Sequence, residues 1–182
     1  MMNANTEIFY LINNGLSNPY LDFLMPHISD AGGLTCLAIL CAVALLLTRK
    51  NVFNSGRYYG LVRLFAGAII LAVLITAPVK LLFSQPRPYL VLSHVHILTS
   101  SVDPNSFPSG HSATTLSVMT VLFLKAKEYF RRDVLVRCFA VAFSLTIGFS
   151  RIYIGMHFPF DVAVGCIIGI ASGIIVCRYL KV

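Results

Sequence analysis

Three clusters of residues in this chain combine the groups that handle a phosphate. The first holds Lys80, then Arg87 and Pro88 after six intervening residues. The second is Pro108, Ser109, Gly110 and His111 in succession. The third runs from Ser150 and Arg151 to His157 and on to Asp161. Phosphoryl transfer needs cations to neutralise three equatorial oxygens, a nucleophile in line, and an acid for the leaving oxygen. Lys80, Arg87 and Arg151 can supply a three-cation clamp, the arginines gripping oxygens bidentately. Ser109 and Gly110 stand where a helix is expected to begin, so their backbone N–H groups can point at an anion. His111 follows in the first turn, placed to act as the acid. His157 and Asp161 are four apart across Pro159, a residue favoured at the first helical position. A carboxylate bonded to one imidazole nitrogen would fix the tautomer and leave the other nitrogen free to attack. Neither group requires a metal.

The elements that must position these groups are membrane helices. Of 182 residues, 57% are hydrophobic and only 12% charged, where a soluble domain carries about a quarter charged. The bilayer is therefore the natural solvent, and helices are favoured over strands because an open sheet edge cannot be satisfied in hydrocarbon. Five apolar stretches read as spans: 31–48, 62–83, 109–124, 134–150 and 159–179. The region before Ala31 is broken by Asn13, Asn14, Gly15, Asp22 and Pro26, and fits either a broken first span or a pair of interfacial helices. It lacks the basic start and uninterrupted core of a cleaved signal peptide. The expected fold is all-α, a bundle of six helices crossing or entering the membrane, in one domain over residues 1–182. Cys36, Cys41, Cys138, Cys166 and Cys177 are scattered singly in apolar stretches, as small buried hydrophobes rather than a disulfide framework or metal site.

The net charge of +7 is unevenly distributed. Eleven of the fourteen Lys and Arg fall in or beside the loops after the second and fourth segments or at the C-terminus, which the positive-inside rule makes cytoplasmic. Among these are Lys50, Lys125, Arg132 and Lys181. The other three are Lys80, Arg87 and Arg151, on the opposite face, where topology gives no reason for a cation. The histidines map to the same face, His27 only if the first segment is placed correctly. Each feature has a plainer reading: a lysine ending a span can snorkel, Pro-Ser-Gly-His can be a helix cap, and Arg151 with Asp161 can be a structural ion pair. Coincidence of all of them on one face argues for chemistry instead. His94, His96, Asp103 and Asn105 belong to no cluster and read as ordinary polar loop.

The three clusters resemble the signature of the type 2 phosphatidic acid phosphatase superfamily, membrane branch, with Lys80, Arg87, Pro88, Pro108 to His111, Ser150, Arg151, His157 and Asp161 filling every motif position. The resemblance implies six helices and a lipid phosphatase that works without metal or cofactor. It also implies that His157 attacks phosphorus to form a phosphohistidine, that Asp161 holds its ring, and that His111 protonates the leaving group and then activates water. Two rivals remain: a phosphotransferase that uses the same His157 with a lipid acceptor, and an anion transporter, which needs neither nucleophile nor acid. The outer loop, residues 84–107, is short, which favours a small headgroup. Among the family's substrates a polyprenyl diphosphate (undecaprenyl) is preferred, with phosphatidylglycerophosphate, phosphatidate and lipid A 1-phosphate as alternatives. The expected location is the cell membrane with the site on its non-cytoplasmic side. The bilayer is the expected partner, nucleic acid is not, and oligomeric state is left open.

Overall fold

The computed structural model describes residues 4–49, 56–99 and 103–180, and among them the regular structure is helical. In chain order the helices are α1 (Ala4–Asn13), α2 (Pro19–Ala31), α3 (Leu34–Arg49), α4 (Gly56–Phe83), α5 (Pro88–Val91), α6 (Gly110–Tyr129), α7 (Asp133–Tyr153) and α8 (Pro159–Tyr179). Lys50 and Lys181, two of the cations assigned to the cytoplasmic side, lie outside the described residues.

The all-α class holds, while the expected count of six spans is not reached. Among the described residues three helices are long and apolar enough to cross a membrane, and a bent pair makes a fourth. Those three are α4 from Tyr58, α7 and α8; the pair is α2 with α3, bent by 50°. At 10 residues α1 is about 15 Å long, too short to span. The polar sequence of α6 sets it apart for a different reason. It is the central helix, packed against α3, α4, α7 and α8, and it buries Ser112, Thr114, Thr115 and Ser117 among protein rather than lipid. Its hydroxyls bond backbone carbonyls, as Ser117 does to Thr114 at 2.8 Å and Thr115 to Gly32 at 3.0 Å. The outer helices present apolar side chains outward instead, among them Leu40, Ile70, Leu145 and Ile167. Cys138 is also exposed, unlike the buried role expected of it.

Close helix approach explains how the site is assembled. On α8, Gly165, Gly169 and Gly173 recur every four residues against α6, and a Cβ at either of the first two would stand 2.5 Å from an α6 backbone oxygen. The N–H of Ser109 then donates to the Asp161 carbonyl at 3.0 Å, joining the start of α6 to the start of α8. A second close approach occurs at the α2–α3 bend. A Cβ at Gly32 would be 2.7 Å from Thr115 Oγ1, so the bend sits directly on α6. Asn18 begins α2 by accepting from the Tyr20 and Leu21 amides, with Pro19 as first helical residue. Phe9 of α1 packs with Ile152, Phe158 and Val162, which lays α1 across the end of the bundle where α7 turns into α8.

Candidate active site

All three clusters meet at that end. Lys80 lies in the last turn of α4, Arg87 immediately before α5, His111 in the first turn of α6, Arg151 in the last turn of α7, and Asp161 in the first turn of α8. Pro159 does open α8, with His157 in the preceding loop, as the spacing suggested.

His157 is 1% exposed. Its Nε2 stands 3.4 Å from Arg87 Nη1, and its Nδ1 is 3.3 Å from Ser106 Oγ. A guanidinium can only donate, so Nε2 presents its lone pair and Nδ1 carries the proton. Burial first, and then the positive charges of Arg151, Arg87 and Lys80, hold this imidazole well below its usual pKa. The ring is therefore a neutral base whose Nε2 lone pair faces the Arg87 guanidinium.

The direct carboxylate–imidazole bond expected from the sequence is not formed. Asp161 Oδ2 is 3.7 Å from His157 Nδ1, beyond hydrogen-bond length. Ser106 intervenes, its hydroxyl making a short bond to Asp161 Oδ2. The same oxygen accepts the Phe158 N–H at 2.9 Å, and these two bonds fix the carboxylate. Nor is Arg151 paired with Asp161. It is 5% exposed and donates to Ser29 Oγ of α2 at 2.5 Å, while its Nε has no hydrogen-bond partner among the described residues. Arg87 is 4% exposed and donates to the carbonyls of Asp103, at 2.7 Å, and Met156, at 3.1 Å. The two guanidiniums act on each other as like charges, an arrangement that an anion between them would relieve.

Lys80 bonds Asp103 Oδ2 at 2.7 Å and the Asn105 carbonyl at 3.1 Å. Burial works to raise the Asp103 pKa, but Lys80, the Asn105 amide and Arg87 outweigh it and hold the carboxyl below its usual range. Asp103 therefore braces the clamp, which the reading of it as ordinary loop missed. Ser106 and Ser29 were missed too. Ser106 carried only its nearness to Pro108 as a signal, and Ser29 carried none.

Ser109 caps α6 by accepting from the Ser112 amide at 3.3 Å. Its own N–H is committed to Asp161, so the expectation that it faces an anion is corrected. At Gly110 an added Cβ would meet nothing within 4 Å, which leaves open space beside the helix start. His111 lies within electrostatic range of Arg151, His157, Arg87 and Lys80. It borders two hollows. One of about 200 Å³ includes Lys80, Gly110, Thr76 and Val73; the other, of about 550 Å³, includes Asp30, Leu34, Ile39 and Leu40. Both combine polar groups at the site with apolar walls on the membrane-facing helices.

Known proteins resemble this chain in sequence and in fold. Residues 61–182 match the PAP2 superfamily. The chain is 32% identical to undecaprenyl-diphosphatase BcrC of Bacillus subtilis, over 96% of its length and 83% of that protein. Its structure is similar to the crystal structure of Aquifex aeolicus LpxE, with a TM-score of 0.80 and 33% identity over 98% of this chain and 97% of that one. A PAP2-type phosphatidylglycerolphosphate phosphatase from Bacillus subtilis shares the fold, with a TM-score of 0.81 and 22% identity over 99% of this chain and 89% of that one. The clusters that converge at one end of the bundle thus coincide with a family match and with likeness along nearly the whole chain: the protein is an integral membrane phosphatase and belongs to the PAP2 superfamily.

Proposed function

We propose that this chain, as one membrane-embedded domain, removes the terminal phosphate of a polyprenyl diphosphate on the non-cytoplasmic side of the cell membrane. The observation that carries the chemistry is the buried neutral His157, its lone pair turned toward the Arg87 guanidinium. A phosphate bridging Arg87, Arg151 and Lys80, with the Gly110 amide aimed at it, would place phosphorus in line with Nε2. In the first step the Nε2–P bond forms and the P–O bond to the lipid phosphate breaks, while His111, protonated once the bound phosphate offsets the cations that disfavour its charged form, gives its proton to the departing oxygen. In the second step His111 takes a proton from water, whose oxygen attacks phosphorus and releases His157. The Nδ1 proton stays on the ring throughout, and the Asp161 carboxylate offsets the charge that develops there.

Likeness to an undecaprenyl-diphosphatase supports the substrate class. So do the two hollows at His111, whose walls of Val73, Ile39 and Leu40 suit an isoprenoid chain. The cations at the far end of the bundle support the orientation. Phosphate release by the purified protein should be fastest with undecaprenyl diphosphate in a panel that includes phosphatidylglycerophosphate, phosphatidate and lipid A 1-phosphate. Faster turnover of any of the others would overturn the substrate assignment. In intact cells, and in a background without native cysteines, Ser93→Cys should be labelled from outside and Glu128→Cys should not. The reverse pattern would invert the topology.

A further inference from the structure

We infer that Ser106 is a positioning residue, the obligatory link through which Asp161 acts on His157; this rests on the proposed role of His157 as nucleophile. Three observations carry it. Ser106 is fully buried, so no water competes for its hydroxyl. Its Oγ lies 3.3 Å from His157 Nδ1 and makes the short bond to Asp161 Oδ2, while the direct distance between those two groups is 3.7 Å. Among the described residues its other side-chain hydrogen bond is a long one of 3.5 Å to the Met156 carbonyl, so the carboxylate is the better acceptor for its proton.

The donor pattern then has one self-consistent solution. Arg87 donates to Nε2, so Nδ1 bears hydrogen and donates to Ser106 Oγ, and Oγ–H donates to Asp161. The hydroxyl both accepts and donates, and each bond polarises the next. No proton changes owner when Nε2 attacks phosphorus. The imidazole becomes cationic, the Nδ1–H bond to Oγ strengthens, and the carboxylate's charge reaches the ring through the hydroxyl. Position 106 is itself held from both sides: its N–H donates to the Gln85 carbonyl at 2.6 Å, and Pro86 bridges to Asn105. The segment that carries the clamp cation Arg87 therefore also sets the link. Without the hydroxyl, Nδ1–H would keep the Ser106 backbone as a partner but lose its link to the carboxylate, 3.7 Å away.

The test is rapid-quench trapping of phosphoenzyme from labelled undecaprenyl diphosphate in Ser106→Ala, Ser106→Thr, Asp161→Asn and the Ser106→Ala/Asp161→Asn double variant. Each is first checked for folding by its thermal melt in detergent. Ser106→Ala should slow phosphoenzyme formation roughly 10- to 100-fold, the size of a lost bond to a charged group, with little change in KM. Ser106→Thr should recover most of the rate. The double variant should be no slower than Asp161→Asn alone, because both substitutions cut one chain. Losses that multiply in the double variant, or a folded Ser106→Ala that phosphorylates at the wild-type rate, would show that Asp161 reaches the ring directly and would overturn the inference. A folded Ser106→Thr as slow as Ser106→Ala would overturn it too. Failure of the underlying reading has a separate signature: His157→Ala would still trap phosphate.

Discussion

At one end of the bundle two arginines are buried, Arg87 at 4% and Arg151 at 5% exposure, and each is held by groups distant in sequence. At the other end Lys125 bonds Glu128 three residues on at 2.9 Å, and Arg137 lies 3.6 Å from Asp133 one turn away. The second set is the ordinary solvated pairing of helix termini, each pair contributing at most about 1 kcal/mol. The first set is strained by design of its surroundings. Like charges are desolvated together, and neutral hydroxyls or carbonyls supply hydrogen bonds where counter-ions would be cheaper to fold with. Asp103, Asp30 and Asp161 offset part of the positive field, and Asp103 leans on Lys80. The far end's cations are paired locally, whereas on the proposed function the site end gives up stability to keep positive charge available to an anion.

The comparison breaks most sharply at the two histidines. His157→Ala should lower turnover by about 10⁴-fold or more on any phosphate ester, since it removes the proposed nucleophile. His111→Ala should nearly abolish turnover of the lipid yet spare phosphoenzyme formation from p-nitrophenyl phosphate, whose leaving group needs no acid. Trapped phosphate in His157→Ala but not in His111→Ala would exchange their roles.

Next come the buried arginines. Arg87→Lys and Arg151→Lys keep charge but lose the planar fork, and turnover should fall on the order of 100-fold with folding intact. Ser29→Ala, which frees Arg151 from α2, should cost roughly tenfold. Full activity in either lysine variant would remove that residue from the phosphate site.

Acid should act on the site end. The His157 pKa is depressed in the folded protein, while in the unfolded chain it is near 6.5. Below about 6.5 the unfolded state therefore binds the extra proton, and stability falls with pH by up to about 1.4 kcal/mol per unit. Thermal melts in detergent should drop between pH 7 and 5, and His157→Gln should reduce that slope, with His111, desolvated beside the same cations, contributing the remainder. An unchanged slope in the variant would contradict the buried neutral imidazole.

The smallest effect is expected at the far end. Lys125→Ala should change stability by less than about 1 kcal/mol and leave turnover unaltered, with any effect fading as salt is raised. A large loss of turnover would dissolve the contrast between the ends.

What the sequence determined by itself follows from two strong constraints. A chain this apolar must satisfy its backbone within helices, and a cation in such a chain is costly enough that Lys80, Arg87 and Arg151 stood out by position alone. Local spacing also set the start of α8 at Pro159 and the one-turn relation of His157 to Asp161, because both lie within a single loop and turn. The broken N-terminal region was harder to read, because short apolar runs do not say whether they cross or lie across the bundle; α1 was settled by Phe9 packing on Phe158. Only tertiary structure decided who holds whom. Ser106 reaches Asp161 across 55 residues, and Ser29 reaches Arg151 across 122. Periodicity carries no information at such separations. Those partners were chosen by how closely α6 meets the glycines of α8 and the bend at Gly32, a matter of packed surfaces fixed to within the width of a methyl group.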